Sequence, residues 1–134
     1  MRFVATKSVA QQDIQCLHRV RRRLVHNRTA LTNEIRSIVG ESGIVLAKTR
    51  SALEKGIKGL LNGSLPREGL SSEGLVLLED LCSELLELDK RIDDCELELA
   101  KVARRPDCQR LFKVGGLGLL SVTALAVALA DPGQ

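Results

Sequence analysis

Rings are nearly absent from this 134-residue chain, which has two Phe (Phe3 and Phe112), no Tyr and no Trp. A surface that stacks bases on aromatic side chains is therefore excluded. Packing falls to Leu, Val, Ile and Ala, which favours helices over a β-sandwich. Histidine is scarce too, with only His18 and His26, so rich acid–base or metal chemistry is not expected. The four cysteines, Cys16, Cys82, Cys95 and Cys108, are widely spaced and form no CxxC pair. They read as reduced thiols serving as small core residues, not as a zinc knuckle. Met1-Arg2-Phe3-Val4 lacks the apolar run of a signal peptide, and a cytoplasmic protein is expected.

What is present suits one folded domain. Hydrophobic residues make up 44% and charged residues 28%, which is not the composition of a disordered chain. The net charge of +3 conceals an asymmetry. Residues 1–60 hold 12 Lys/Arg against 4 Asp/Glu, whereas residues 61–134 hold 8 against 13. A basic half and an acidic half suggest self-pairing or two partners.

The first long element begins at Ser8. Ser8 and Gln11 have the spacing of a capping box, in which each side chain satisfies the other's backbone amide. An alternating three–four spacing then runs through Ala10, Ile14, Leu17, Arg21, Leu24, Arg28, Leu31, Ile35 and Ile38. No Gly or Pro interrupts this run, and Gly40 and Gly43 can end it. The spacing predicts a helix over 8–39, roughly 48 Å long. Residues 40–71 are glycine-rich, with an Asn62-Gly63-Ser64 turn signal. They read as a tip holding one short helix, 51–61, weakened by its two glycines.

The second long element is the most regular. Leu78, Leu81, Leu85, Leu88, Ile92, Cys95, Leu99 and Val102 follow the heptad spacing of a coiled coil without a miss. A helix over 72–104 is predicted, with Ser72 as its N-cap and acids near its start. Pro106 forbids simple continuation. Two helices of matched length around a short tip predict an all-α fold, built on a long antiparallel helical hairpin over residues 1–105. Charge fits the pairing: the first helix holds six Arg against Asp13 and Glu34, and the second ten acids against four bases. Such pairs choose partners more than they stabilise, each being worth roughly 0–1 kcal/mol when exposed.

The run Arg19-Val20-Arg21-Arg22-Arg23 has two readings. Successive residues on a helix point about 100° apart. One arginine can thus face the partner helix while the others stay solvated, or Arg19, Arg22 and Arg23 contact phosphates.

After Pro106-Asp107, where Asp107 can cap a short helix over 108–112, comes Val114-Gly115-Gly116-Leu117-Gly118 and then an apolar segment over 119–130. Helix, Gly-Leu-Gly, helix is the layout of a helix-hairpin-helix. There the glycines bring backbone amides to a phosphate at a helix N-terminus. Lys113, Gly116 and Gly118 are the candidate contacts. The uncharged stretch 114–130 sits at the lower edge of a spanning length. Its glycines and small residues favour a helix that needs a protein partner, and no membrane association is expected.

Several stretches together carry a family resemblance. Residues 1–13 (MRFVATKSVAQQD), Leu17-His18-Arg19-Val20-Arg21 and Arg28 to Arg36 (RTALTNEIR) resemble the middle of DEDD-type insertion-sequence transposases. Gly43-Ile44-Val45-Leu46, Gly116-Leu117-Gly118, Thr123-Ala124-Leu125 and Asp131-Pro132 follow in the same order. Members have a RuvC-like domain with four metal-binding acids, then a coiled-coil linker, then a C-terminal domain with a helix-hairpin-helix and a catalytic serine. They recombine DNA under the direction of a structured RNA.

The resemblance implies that this chain covers the linker, 1–105, and the start of the C-terminal domain, 106–134. No residue maps to the four acids or the serine. The expectation is a chain inactive alone and without a cofactor of its own, Mg²⁺ belonging to full-length members. Where the family commonly has Pro-Gly-x-Gly-Pro, this chain has Gly115-Gly116-Leu117-Gly118-Leu119, a looser turn. The implied role is part of a transposase: subunit association, with DNA and structured RNA as further partners. The competing reading is a stand-alone coiled-coil interaction protein with no nucleic-acid role.

Overall fold

A computed structural model describes residues 8–112, 118 and 120–124. Every regular element among them is helical, so the all-α expectation holds. The helices are α1 (Val9–Glu41), α2 (Arg50–Asn62), α3 (Ser72–Ala103) and α4 (Pro106–Phe112). The chain divides into two compact units, one made of Met1–Val25 with Lys90–Gln134 and the other of His26–Asp89. Both long helices contribute to each unit.

In the first unit, α1 starts at the expected capping box. The Ser8 amide donates to Gln11 Oε1 at 2.8 Å, and the Gln11 amide donates to Ser8 Oγ at 3.2 Å. Ile14 and Leu24 of α1 are buried, as are Ile92, Cys95, Leu99 and Ala103 of α3. Cys108 of α4 and Val122, from the helical turn at 120–124, are also fully buried in this unit. The end of α3 is closed by Gln109, whose Nε2 donates to the Ala103 carbonyl at 2.7 Å. The helix after it begins at Pro106, where the fixed φ and the missing N–H cost nothing. Asp107 thus lies inside the first turn and is not the cap.

In the second unit, Leu31, Ile35 and Val39 of α1 are buried, together with Leu53, Ile57 and Leu60 of α2 and Leu78, Leu85 and Leu88 of α3. The Thr49 side chain caps α2 by accepting from the Ala52 amide at 3.2 Å, and Gly63 ends it at φ 82°. The two glycines that weaken this helix on propensity have a packing reason. Both are buried; a methyl on Gly56 would fall on the Leu46 side chain, and one on Gly59 would lie 2.7 Å from Leu65. Their bare backbone admits the two leucines that flank α2 in sequence. The cap of α3 is Ser71, whose Oγ accepts from the Gly74 amide at 3.0 Å. Ser72, the expected cap, is the first helical residue, and its hydroxyl turns to Glu73.

Burial follows the predicted spacing closely on α3, where six of eight positions are buried and Leu81 and Val102 are half-buried. On α1 it departs at both ends. Ala10 is exposed, and Val39 is fully buried while Ile38 is only half-buried. A straight helix drifts about 20° per heptad against a strict repeat, so the buried line moves from Ile35 to Val39 by a step of four. The cysteines split as well: Cys95 and Cys108 are core residues, Cys82 is half-buried and Cys16 is exposed. Burial pushes the Cys82 thiol up from its usual range, with Glu79 reinforcing and Arg50 opposing.

Candidate nucleic-acid interface

Arg19, Arg22 and Arg23 all lie on α1 in the first unit, with Arg19, Arg22 and Arg23 exposed to solvent. Residues three and four apart share a helix face, so Arg19 lies beside both Arg22 and Arg23. Arg21 turns the other way. Its NH2 meets Glu96 Oε1 of α3 at 2.8 Å, and its Nε donates to the same oxygen at 3.1 Å. The arginine run is thus divided as helix geometry demands, one member to the partner helix and three to solvent.

Gly118 is exposed, and its carbonyl accepts from the Val122 amide at 2.9 Å at the start of the turn 120–124. A side chain there would meet open space, and its φ is not left-handed. It opens on a shallow cavity of about 440 Å³ shared with Glu96, Leu120 and Ser121. Among the described residues the charged group bordering that cavity is the Glu96 carboxylate. Lys113 and Gly116 lie outside the described residues, as does most of the apolar segment 114–130. Among the described residues no helix is long and apolar enough to cross a membrane.

Two arrangements escape sequence reasoning. The first joins His18 to Thr123, whose Oγ1 lies 2.9 Å from His18 Nε2 while its hydroxyl donates to the Leu120 carbonyl at 3.2 Å. Thr123 is fully buried. Burial first, then the positive fields of Arg21 and Arg22, hold the His18 imidazole below its ordinary value. Arg21 also pairs with Glu96.

The sign of the resulting pH dependence follows from linkage. Between the lowered folded value and the ordinary one, the unfolded chain takes up a proton and the folded chain does not. This contribution is complete above about pH 6.5 and is lost as pH falls toward the folded value. The melting temperature is expected to drop as pH falls from about 7 to below the ordinary imidazole value of about 6.5. A His18→Gln variant, followed by circular dichroism, is expected to show a flatter profile over that window.

The second arrangement lies in the second unit. A recess of about 400 Å³ is bordered by Arg28, Arg36, Lys48 and Arg50, with Glu54 and Asp89. Asp89 joins two of the cations, Oδ2 to Arg50 NH2 at 2.6 Å and Oδ1 to Arg28 NH1 at 3.2 Å. Glu54 takes Arg50 Nε at 2.8 Å. Arg36 bonds to backbone only, its NH2 donating to the carbonyls of Lys48 at 2.6 Å and Thr49 at 3.2 Å. The sequence hints at half of this: Arg21 and Arg28 are the two polar positions in the apolar line of α1, seven apart, and Asp89 and Glu96 are seven apart on α3. Nothing periodic points to Arg36, Lys48 or Arg50, because a loop brings them together. Among the described residues no three His, Cys, Asp or Glu side chains converge as a metal site would require.

The class of protein this chain resembles is the transposase of insertion sequences. It is 38% identical over 132 residues to the Transposase for insertion sequence element IS1111A of Coxiella burnetii, covering 98% of this chain and 36% of that protein. It is 37% identical over 135 residues to the Probable family 20 transposase of Pseudomonas aeruginosa, covering 100% of this chain and 40% of that protein. To the Transposase for insertion sequence element IS1328 of Yersinia enterocolitica it is 30% identical, over 98% of this chain and 38% of that protein. The chain thus spans well under half the length of these curated relatives. No protein-family model and no solved structure matches it.

Proposed function

We propose that this chain is the helical linker region of an insertion-sequence transposase of the DEDD type, together with the beginning of its serine-bearing domain. Its work there is to associate subunits and to contact nucleic acid within a cytoplasmic transposition complex. The observation that carries this reading is similarity to named transposases along essentially the whole chain. The two acid-to-arginine pairs support an antiparallel hairpin. Arg21 meets Glu96 in one unit and Arg28 meets Asp89 in the other, so the later position on α1 goes with the earlier one on α3. The unbroken apolar spacing on α3 and the near-continuous line on α1 support a coiled coil.

In this role Arg19, Arg22 and Arg23, which form no ion pair among the described residues, present three positive charges to phosphates, and Lys113, Gly116 and Gly118 form the second contact. The chain needs no cofactor of its own; Mg²⁺ belongs to the acids of a full-length protein. Exposed Val76, Leu86 and Leu97, on one side of α3, provide apolar surface for a second copy.

Two measurements test the proposal. Sedimentation at micromolar concentration is expected to show a species larger than 14.6 kDa. Binding to labelled DNA duplex or RNA hairpin is expected to weaken linearly on a log–log salt plot, with a slope of about −0.9 per phosphate contacted on duplex DNA. Replacing Arg19, Arg22 and Arg23 together by Gln is expected to make that slope shallower. A monomer whose contact with nucleic acid is absent at low salt would leave the stand-alone interaction protein as the better reading.

A further inference from the structure

We infer that the recess beside Arg36 and Lys48 in the second unit seats a phosphate of a nucleic-acid backbone, a contact separate from the arginine run of α1. The inference rests on the nucleic-acid reading above and adds a site to it.

The charge balance of the recess is the first argument. Four cations face two carboxylates, and both carboxylates are engaged by only two of the cations, Arg28 and Arg50. That leaves Arg36 and Lys48. Arg36 is oriented by two backbone carbonyls, which hold the guanidinium in place without cancelling its charge. Its Nε is buried and has no hydrogen-bond partner. The Lys48 side chain is exposed and forms no ion pair among the described residues. A positioned guanidinium next to a free ammonium, with acids already committed, is the local chemistry that takes an oxyanion.

The second argument is the surrounding geometry. Arg50 is the first residue of α2, so the positive end of that helix dipole borders the recess. Lys58 lies one turn beyond Glu54 on the same face of α2, with Lys55 exposed nearby. The positive charge therefore continues along the helix away from the recess. An extended line of this kind suits a polyanion better than a small free ion. The volume of about 400 Å³ leaves room for a phosphodiester with its sugar.

The decisive variants are Lys48→Gln and Glu54→Gln, both at exposed positions where the helical content should not change. Binding is read by fluorescence anisotropy with a labelled DNA duplex and a labelled RNA hairpin over a salt series. Lys48→Gln is expected to weaken binding several-fold at low salt and to make the salt slope shallower by about one. Glu54→Gln removes a competing carboxylate and is expected to tighten binding. Arg36→Gln is expected to act like Lys48→Gln, with a urea denaturation midpoint checking that the second unit still packs. If the unaltered chain binds and neither Lys48→Gln nor Glu54→Gln shifts affinity or slope, the recess is not a phosphate seat, and the wider nucleic-acid reading stands. If the unaltered chain shows no salt-sensitive binding to either probe, both fall.

Discussion

Leu85→Ala is expected to lower the stability of the chain by about 2–5 kcal/mol, whereas Leu86→Ala should change it by less than about 0.5 kcal/mol. The two leucines are neighbours with the same side chain on the same helix. Leu85 is 3% exposed and Leu86 is 65% exposed. One step along a helix turns the side chain by about 100°, and that rotation alone separates core from surface. Removing three carbons at Leu85 loses their transfer free energy and leaves a cavity that the surrounding core of the second unit can only partly refill. Chemical denaturation at low protein concentration measures both variants. A second readout bears on subunit association. If a second copy covers the exposed face of α3, Leu86→Ala will shift the sedimentation profile toward the monomer while leaving the low-concentration melt unchanged. Equal losses at the two positions would refute the phase assigned to α3.

That phase is legible in the amino-acid pattern alone, because it depends on a repeat sustained over the whole of α3. The capping box at Ser8 and Gln11 is legible for a different reason: the pattern is local, and only the neighbouring amides compete for those side chains. The features that the pattern leaves open or misplaces are those decided by a neighbour far along the chain. Adjacent serines at 71 and 72 have the same chemistry, and the last turn of the loop selects Ser71 as the cap. Gly56 and Gly59 argue against α2 on propensity alone, and their purpose appears only once Leu46 and Leu65 lie over them. The exposed members of the arginine run follow from helix geometry together with the single acid, Glu96, that claims Arg21. The Arg36 and Lys48 recess is not readable in this way. Its cations come from a helix, a loop and a helix start, and their unequal pairing depends on where Asp89 and Glu54 point. The bond between His18 and Thr123 spans 105 residues of sequence and has no periodic signature.

Gly69→Ala is expected to cost about 1–3 kcal/mol, although Gly69 is exposed and its neighbourhood is a loop. A methyl group on its backbone would fall on the carbonyl oxygen of Ser42, with the carbonyl carbon 3.1 Å away. The obstruction is main chain, so no rotamer change relieves it. The loop after α1 and the loop before α3 must separate, and both belong to the second unit. Two other glycines serve as opposite controls. Gly40 lies in the last turn of α1 with nothing within 4 Å of the added atom, so Gly40→Ala should stabilise by up to about 1 kcal/mol through helix propensity. Gly43 also faces open space but sits at φ 81°, so Gly43→Ala should destabilise by about 1 kcal/mol without any clash. Urea midpoints with unchanged m-values give the three differences on one scale. The order Gly40 above wild type, Gly43 below it and Gly69 lowest follows from three separate causes: propensity, dihedral strain and backbone contact. A Gly69→Ala variant as stable as the parent would mean that the two loops do not approach each other at Ser42.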